Sequence, residues 1–130
     1  VERFHLRDLK TELEQQLRRI VAEFDVVLLT GGVSQGRFDY VPEVLAGLGV
    51  VNVLRGVAQR PGKPFWFGVS SRKTPVFALP GNPVSTYICL HRYVLPALAR
   101  MAGAPAPKPD YLALGSATTF KAPLAWMLPV

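Results

Sequence analysis

With 130 residues, 49% of them hydrophobic, and no apolar run near the roughly 18–20 residues that cross a bilayer, the chain reads as one globular domain plus the start of another, neither disordered nor membrane-bound. Its charged beginning, Val1-Glu-Arg-Phe-His-Leu-Arg, is unlike a signal peptide, and the lone Cys89 excludes an intramolecular disulfide or a multi-cysteine zinc site, so a cytoplasmic protein is expected. The net charge of +6 invites an anion, but Lys and Arg are dispersed rather than striped among aromatics, which argues against nucleic acid and for a small phosphorylated or oxyanion ligand.

Leu6, Leu9, Leu13, Leu17, Ile20 and Phe24 recur at steps of three and four, the mark of an amphipathic helix, and Asp8 is placed to cap its first turn. Residues 25–30 are an apolar run suited to a strand covered on both faces. The run empties into a first loop, Gly31-Gly-Val-Ser-Gln-Gly-Arg-Phe-Asp39, whose glycines let backbone N–H groups approach an oxyanion at the start of the next helix. That helix covers 40–48, with Val41, Val44, Leu45 and Leu48 on one stripe and Gly49 as its C-terminal cap. A strand over 50–57 leads to a second loop, Arg60-Pro-Gly-Lys-Pro64. Residues 65–69 and 75–79 read as paired strands joined by a polar turn at 70–74.

A third loop, Leu79-Pro-Gly-Asn-Pro-Val-Ser85, opens a second amphipathic helix, with Val84, Tyr87, Ile88, His91, Val94, Leu95 and Leu98 on its stripe. Pro96 should kink that helix or divide it, because it removes one helical N–H. Prolines 105, 107 and 109 make an extended linker, and the tail from Tyr111 to Val130 resembles the first strands of a different unit, too short to fold alone. Helices alternate with apolar strands up to Gly103, so the expected fold class is α/β with three layers. Ligands of such sheets gather at the carboxyl ends of strands, and the order of the three loops would place them along one edge.

Taken together, the glycine loop ending in Asp39, the Pro61-Gly-Lys-Pro64 turn and the Pro80-Gly-Asn-Pro83 turn resemble the molybdopterin molybdenumtransferase family, the bacterial MoeA proteins and the E domain of gephyrin. The resemblance implies the C-terminal part of that family's molybdopterin-binding α/β domain at 1–103, a Pro-rich linker at 104–110 and the start of a small C-terminal β domain at 111–130. It implies an enzyme that inserts molybdate into adenylylated molybdopterin and releases AMP, with Mg²⁺ assisting. A homodimer of the full-length enzyme and molybdopterin adenylyltransferase as a partner come with it. The chain would then be a middle-to-late piece of that enzyme.

Lys63 stands between a glycine and a proline on a stiff loop, where its ammonium can meet molybdate or phosphate oxygens, with Arg60 as companion; the alternative is a pair of solvated surface cations. Asp39 can hold Mg²⁺ or position water near a phosphoanhydride, and the same carboxylate can cap the helix at Tyr40. Asp8 lies where the family carries an acidic residue, with capping as the other reading. The expected binding set is Gly31, Gly32, Ser34 and Gly36 from the first loop, Pro61 and Gly62 from the second, and Pro80, Gly81, Asn82 and Ser85 from the third. Ser34 and Ser85 offer hydroxyls to an oxyanion or serve as turn and cap residues, and Asn82 can bond the pterin or its phosphate.

His91, with no cluster of metal ligands around it, is expected in the core or a groove, Cys89 as a packing residue, and Trp66 in the core or stacked on a pterin. Gly56 stands where many relatives carry a basic residue, and Arg55 lies one step earlier. Two other readings stay open. One is the related adenylyltransferase, against which the Pro61-Gly-Lys-Pro64 turn and the β-like tail count. The other is a non-catalytic molybdopterin-binding or scaffold module.

Overall fold

The computed structural model of the chain describes residues 1–7, 9–33, 40–105, 110–113 and 115–127. Its first helix, α1, runs over Lys10–Glu23 and buries Leu13, Leu17, Ile20 and Val21, the positions a 3.6-residue repeat brings to one face. The helix starts later than the apolar spacing foretells. Leu9 is the N-cap, with extended backbone and 56% exposure, and Leu6 packs on the core from the non-helical segment ahead of it. A leucine in that segment can reach the core without being helical, so the stripe overruns the helix. Asp8, the expected cap, lies outside the described residues.

The next element, strand β1, is Val27–Thr30. Helix α2 spans Val41–Gly47, and strand β2 spans Val51–Arg55. A Schellman-type ending closes α2: Gly49 takes φ +78° and donates to Ala46 O, while Val50 donates to Leu45 O. After the two-residue strand β3, Gln59–Arg60, come β4 (Trp66–Val69) and β5 (Pro75–Leu79). Those last two pair antiparallel, as the turn at 70–74 implies; Ser70 and Thr74 exchange bonds across it, and Lys73 takes the positive φ.

The main sheet has the order β1-β5-β4-β2, with β1 parallel to β5 and β4 antiparallel to both of its neighbours. Strand β5 is central, and its alternation feeds two cores. Val76 and Ala78 join Val27 and Trp66 beneath α1 and α2, whereas Phe77 and Leu79 join Phe65, Cys89 and Val94 on the opposite face. Helices therefore cover both faces of a mixed sheet, the three-layer α/β arrangement expected. Trp66 and Cys89 lie in these cores.

Two expectations about burial are corrected. Residues 25–30 do not form a strand covered on both faces, because β1 lies at one edge of the sheet and Leu28 is 44% exposed; the most buried strand is β5, enclosed from Val76 to Leu79. The second amphipathic helix also turns a different face inward. It divides into α3 (Pro83–Cys89), a π-helical turn (Leu90–Val94) and α4 (Leu95–Met101), with Pro96 in the first turn of α4. Leu95 N–H bonds Leu90 O, an i→i+5 step that carries one extra residue and shifts the phase of every later side chain. In α3 the inward residues are Ser85 and Cys89 while Val84 and Tyr87 face outward, and beyond the extra residue Val94 is buried while Leu95 and Leu98 face outward. His91 is on the surface against the Tyr87 ring, not in the core or a groove. Near the end of the chain, β6 (Ala125–Trp126) pairs in parallel with β3.

Candidate functional site

Strand register alone brings the three loops to one end of the sheet. Thr30 pairs with Leu79 in parallel, so the chain leaves β1 and β5 side by side, and Gly31 N–H donates to Leu79 O at 3.0 Å. Gly81 approaches so closely that a Cβ on it would lie 3.5 Å from Gly31 Cα. Because β4 runs the other way and starts at Trp66 opposite Ala78, the second loop enters at this same end. Strand β2 finishes there as well, with Arg55 opposite Trp66.

In the first loop, Gly31 and Gly32 are half-buried at positive φ, and a Cβ on Gly32 would strike Val41 Cγ2 at 2.7 Å. Ser34, Gly36 and Asp39 lie outside the described residues. In the third loop Pro80 is buried while Gly81 and Asn82 are exposed. Asn82 caps α3 by accepting from Ser85 N–H at 3.1 Å, and the buried Ser85 hydroxyl lies 3.4 Å from the same oxygen. Thr86, absent from the expected set, ties the loop down by donating to the carbonyls of Pro80 and Asn82. A threonine inside the first turn of a helix is so common that its spacing alone gives no signal.

The second loop is closed by Val57 N–H bonding Lys63 O and Gly56 N–H bonding Phe65 O. Pro61 is half-buried and Gly62 buried, whereas Arg60 and Lys63 are exposed. Beneath it lies a polar cluster that the sequence did not reveal. Gln59, only 2% exposed, donates to Pro61 O at 2.9 Å and accepts from the Tyr93 hydroxyl. Cys89 Sγ lies 3.6 Å from Gly62 O, and burial pushes its thiol up to about 11 from 9.0, so it stays protonated near neutral pH. Gly62 takes φ +98°, and a Cβ there would meet Gln59 Nε2 at 2.6 Å and Cys89 Sγ at 2.7 Å. Residues some thirty positions apart make this cluster, which no local pattern encodes.

The ion pairs among the described residues all join side chains of α1 and α2, leaving Arg55, Arg60 and Lys63 unpaired at the loop end. No three His, Cys, Asp or Glu side chains come together among the described residues. The second and third loops carry no carboxylate. The described residues therefore do not fit a divalent cation, and they present cations and backbone to an anion. A groove of about 970 Å³ opens beside β1 and is walled by Phe4, Leu6, Leu17, Phe24 and Leu28 as well as Gly31. Its walls include Arg3, His5 and Gly32 but no residue of the second or third loop, so it does not reach Arg60 or Lys63. No helix among the described residues is long and apolar enough to cross a membrane.

The family model described as a probable molybdopterin binding domain matches residues 1–100. The chain belongs to that family. Within the molybdopterin-binding family, it is 42% identical over 127 residues to the molybdopterin molybdenumtransferase of Synechocystis sp., a match covering 97% of this chain and 30% of the relative. A solved molybdopterin biosynthesis MoeA protein from Pyrococcus horikoshii superposes with a TM-score of 0.64 at 36% identity, over 75% of this chain and 23% of that one. The molybdopterin biosynthesis enzyme MoaB from Thermus thermophilus, 23% identical with a TM-score of 0.52, shares the fold. The chain thus spans about a third or less of the length of the molybdenumtransferase and MoeA relatives.

Proposed function

We propose that the chain carries part of the active site of a molybdopterin molybdenumtransferase, which acts in molybdenum cofactor biosynthesis by inserting molybdate into adenylylated molybdopterin with release of AMP. One observation carries this reading. Three loops meet at the carboxyl end of β5 with Arg60 and Lys63 among them, neither in an ion pair with any described residue, in a chain 42% identical to a relative of that name.

Both substrates are anions, so the pocket must bring together charges that repel. Lys63 and Arg60 offset that repulsion, with Lys63 as a compact point charge and Arg60 as a fork matched to paired oxygens. The glycines at 31, 32 and 81 let the pterin phosphate approach the backbone as no larger residue would. Asn82 and Ser85, joined in the α3 cap, give the third loop a fixed shape for the pterin to meet. Asp39 at the end of the first loop and Asp8 ahead of α1 complete the acidic side of the reading. The described residues gather no metal-binding set.

The same reading includes a cytoplasmic location, a homodimer and substrate supply by molybdopterin adenylyltransferase. The outward apolar residues of α3 and α4 support an assembly surface. The decisive experiment replaces Lys63 in the full-length protein as its source makes it. Lys63→Ala should lower molybdate-dependent AMP release by about 10²-fold, the scale of losing one charge-stabilising donor, while circular dichroism stays unchanged. Unaltered turnover would remove Lys63 from the site, and ATP consumption with free molybdopterin would point to the adenylyltransferase instead.

A further inference from the structure

The buried cluster under the second loop does more than fill space. Pro61 O and Gly62 O, two successive carbonyls, are both held inside the loop, the first accepting from Gln59 Nε2 and the second from Phe65 N–H at 3.2 Å, with Cys89 Sγ 3.6 Å away. In a trans peptide the N–H points opposite to the carbonyl of the same unit. Pinning those two carbonyls inward therefore turns the N–H groups of Gly62 and Lys63 outward, away from the helix. Neither N–H has a hydrogen-bond partner among the described residues. Consecutive outward amides form a small concavity for an anion, beside the exposed Lys63 and Arg60 side chains.

What holds the Pro61 carbonyl is the chain Tyr93 hydroxyl to Gln59 Oε1, then Gln59 Nε2 to Pro61 O. The Tyr93 ring is itself fixed by stacking at 4.5 Å on Phe65, just past the loop. Gln59 uses both ends of its amide here. An apolar residue at 59 would fill the space but leave Pro61 O without its donor.

The geometry points to Gln59 and Tyr93 as positioning residues that aim the Gly62 and Lys63 amides at a bound oxyanion. This rests on the reading of Lys63 given above. Neither side chain touches the anion; they act through the loop backbone.

Tyr93→Phe tests this, because it keeps the ring and its stacking and removes only the hydroxyl. In the full-length protein it should lower kcat for AMP release by about tenfold, one hydrogen bond's worth of orientation, with KM for adenylylated molybdopterin little changed and the melting temperature lower by only about a few degrees, because Gln59 Oε1 loses its donor. In a Lys63→Ala background, which removes the ammonium but keeps both amides, the same change should still lower the residual rate several-fold. No loss in either background overturns the assignment.

A second readout does not depend on turnover. In ¹⁵N-labelled protein titrated with sodium molybdate, the Gly62 and Lys63 amide resonances should move in the parent and move much less in Tyr93→Phe. Equal movement in both overturns the positioning role. Should the parent release no AMP while these amides still respond to molybdate in a Tyr93-dependent way, the transferase reading fails and the positioning role stands.

Discussion

Cys89 is held at the foot of the second loop by its thiol's approach to Gly62 O, and its ionisation should report on that burial. Its folded pKa is about 11, against 9.0 for the free thiol, so the folded state retains the proton over a range in which the unfolded state loses it. Stability from this group is complete below pH 9 and falls as pH rises toward 11. Thiol-reactivity titration of the native protein should give a midpoint about two pH units above that of the urea-unfolded chain, and a midpoint near 9.0 in both would show that the thiol is not buried. The sequence said only that Cys89 packs, which it does. It gave no hint of Gln59, because a glutamine beside an arginine reads as solvated surface until the fold places Tyr93 over it.

Elements defined by local chemistry were the most legible. Glycine at 49 ended α2 where a C-terminal cap belongs, and the strand pair around the 70–74 turn formed in the expected order. The cap of α3 allows a direct check. Asn82→Ala removes the acceptor of Ser85 N–H, and urea unfolding should show a loss of about 1 kcal/mol. Elements whose character depends on distant neighbours were less legible. An apolar run at 25–30 looks the same whether its strand is central or at an edge, and here β1 is an edge while β5 is enclosed. The stripe from Val84 to Leu98 assumed a constant 3.6-residue repeat, and the π turn ahead of Pro96 broke that phase. The site followed the same division: its three loops were visible as motifs, whereas the side chains that hold the second loop were not.

At the scale of the whole molecule, the three-layer order places every loop of interest at one end of one sheet, and leaves β2 as the edge opposite β1. Val51, Val53 and Leu54 are all exposed on that edge, with the pairing shifted between Asn52 and Leu54. An open apolar edge is a template for pairing with another chain. Val51→Lys should change stability by no more than about 0.5 kcal/mol, since the side chain is already in solvent. Sedimentation at high protein concentration should show less self-association for that variant, and an unchanged profile would mean this edge is not where chains meet.

The short pairing of β3 with β6 has a consequence in time. Ala125 N–H bonds Ala58 O and Met127 N–H bonds Arg60 O, so the backbone of Arg60 is fastened on its outer side by residues synthesised long after it. The main sheet uses no residue beyond Leu79 and the helices that cover it end at Met101, so both can assemble as the chain leaves the ribosome. Arg60 acquires its last constraint only when the tail arrives. During synthesis the scaffold thus precedes the finished loop, and a nascent chain halted before residue 125 would leave the Arg60 carbonyl without its Met127 donor.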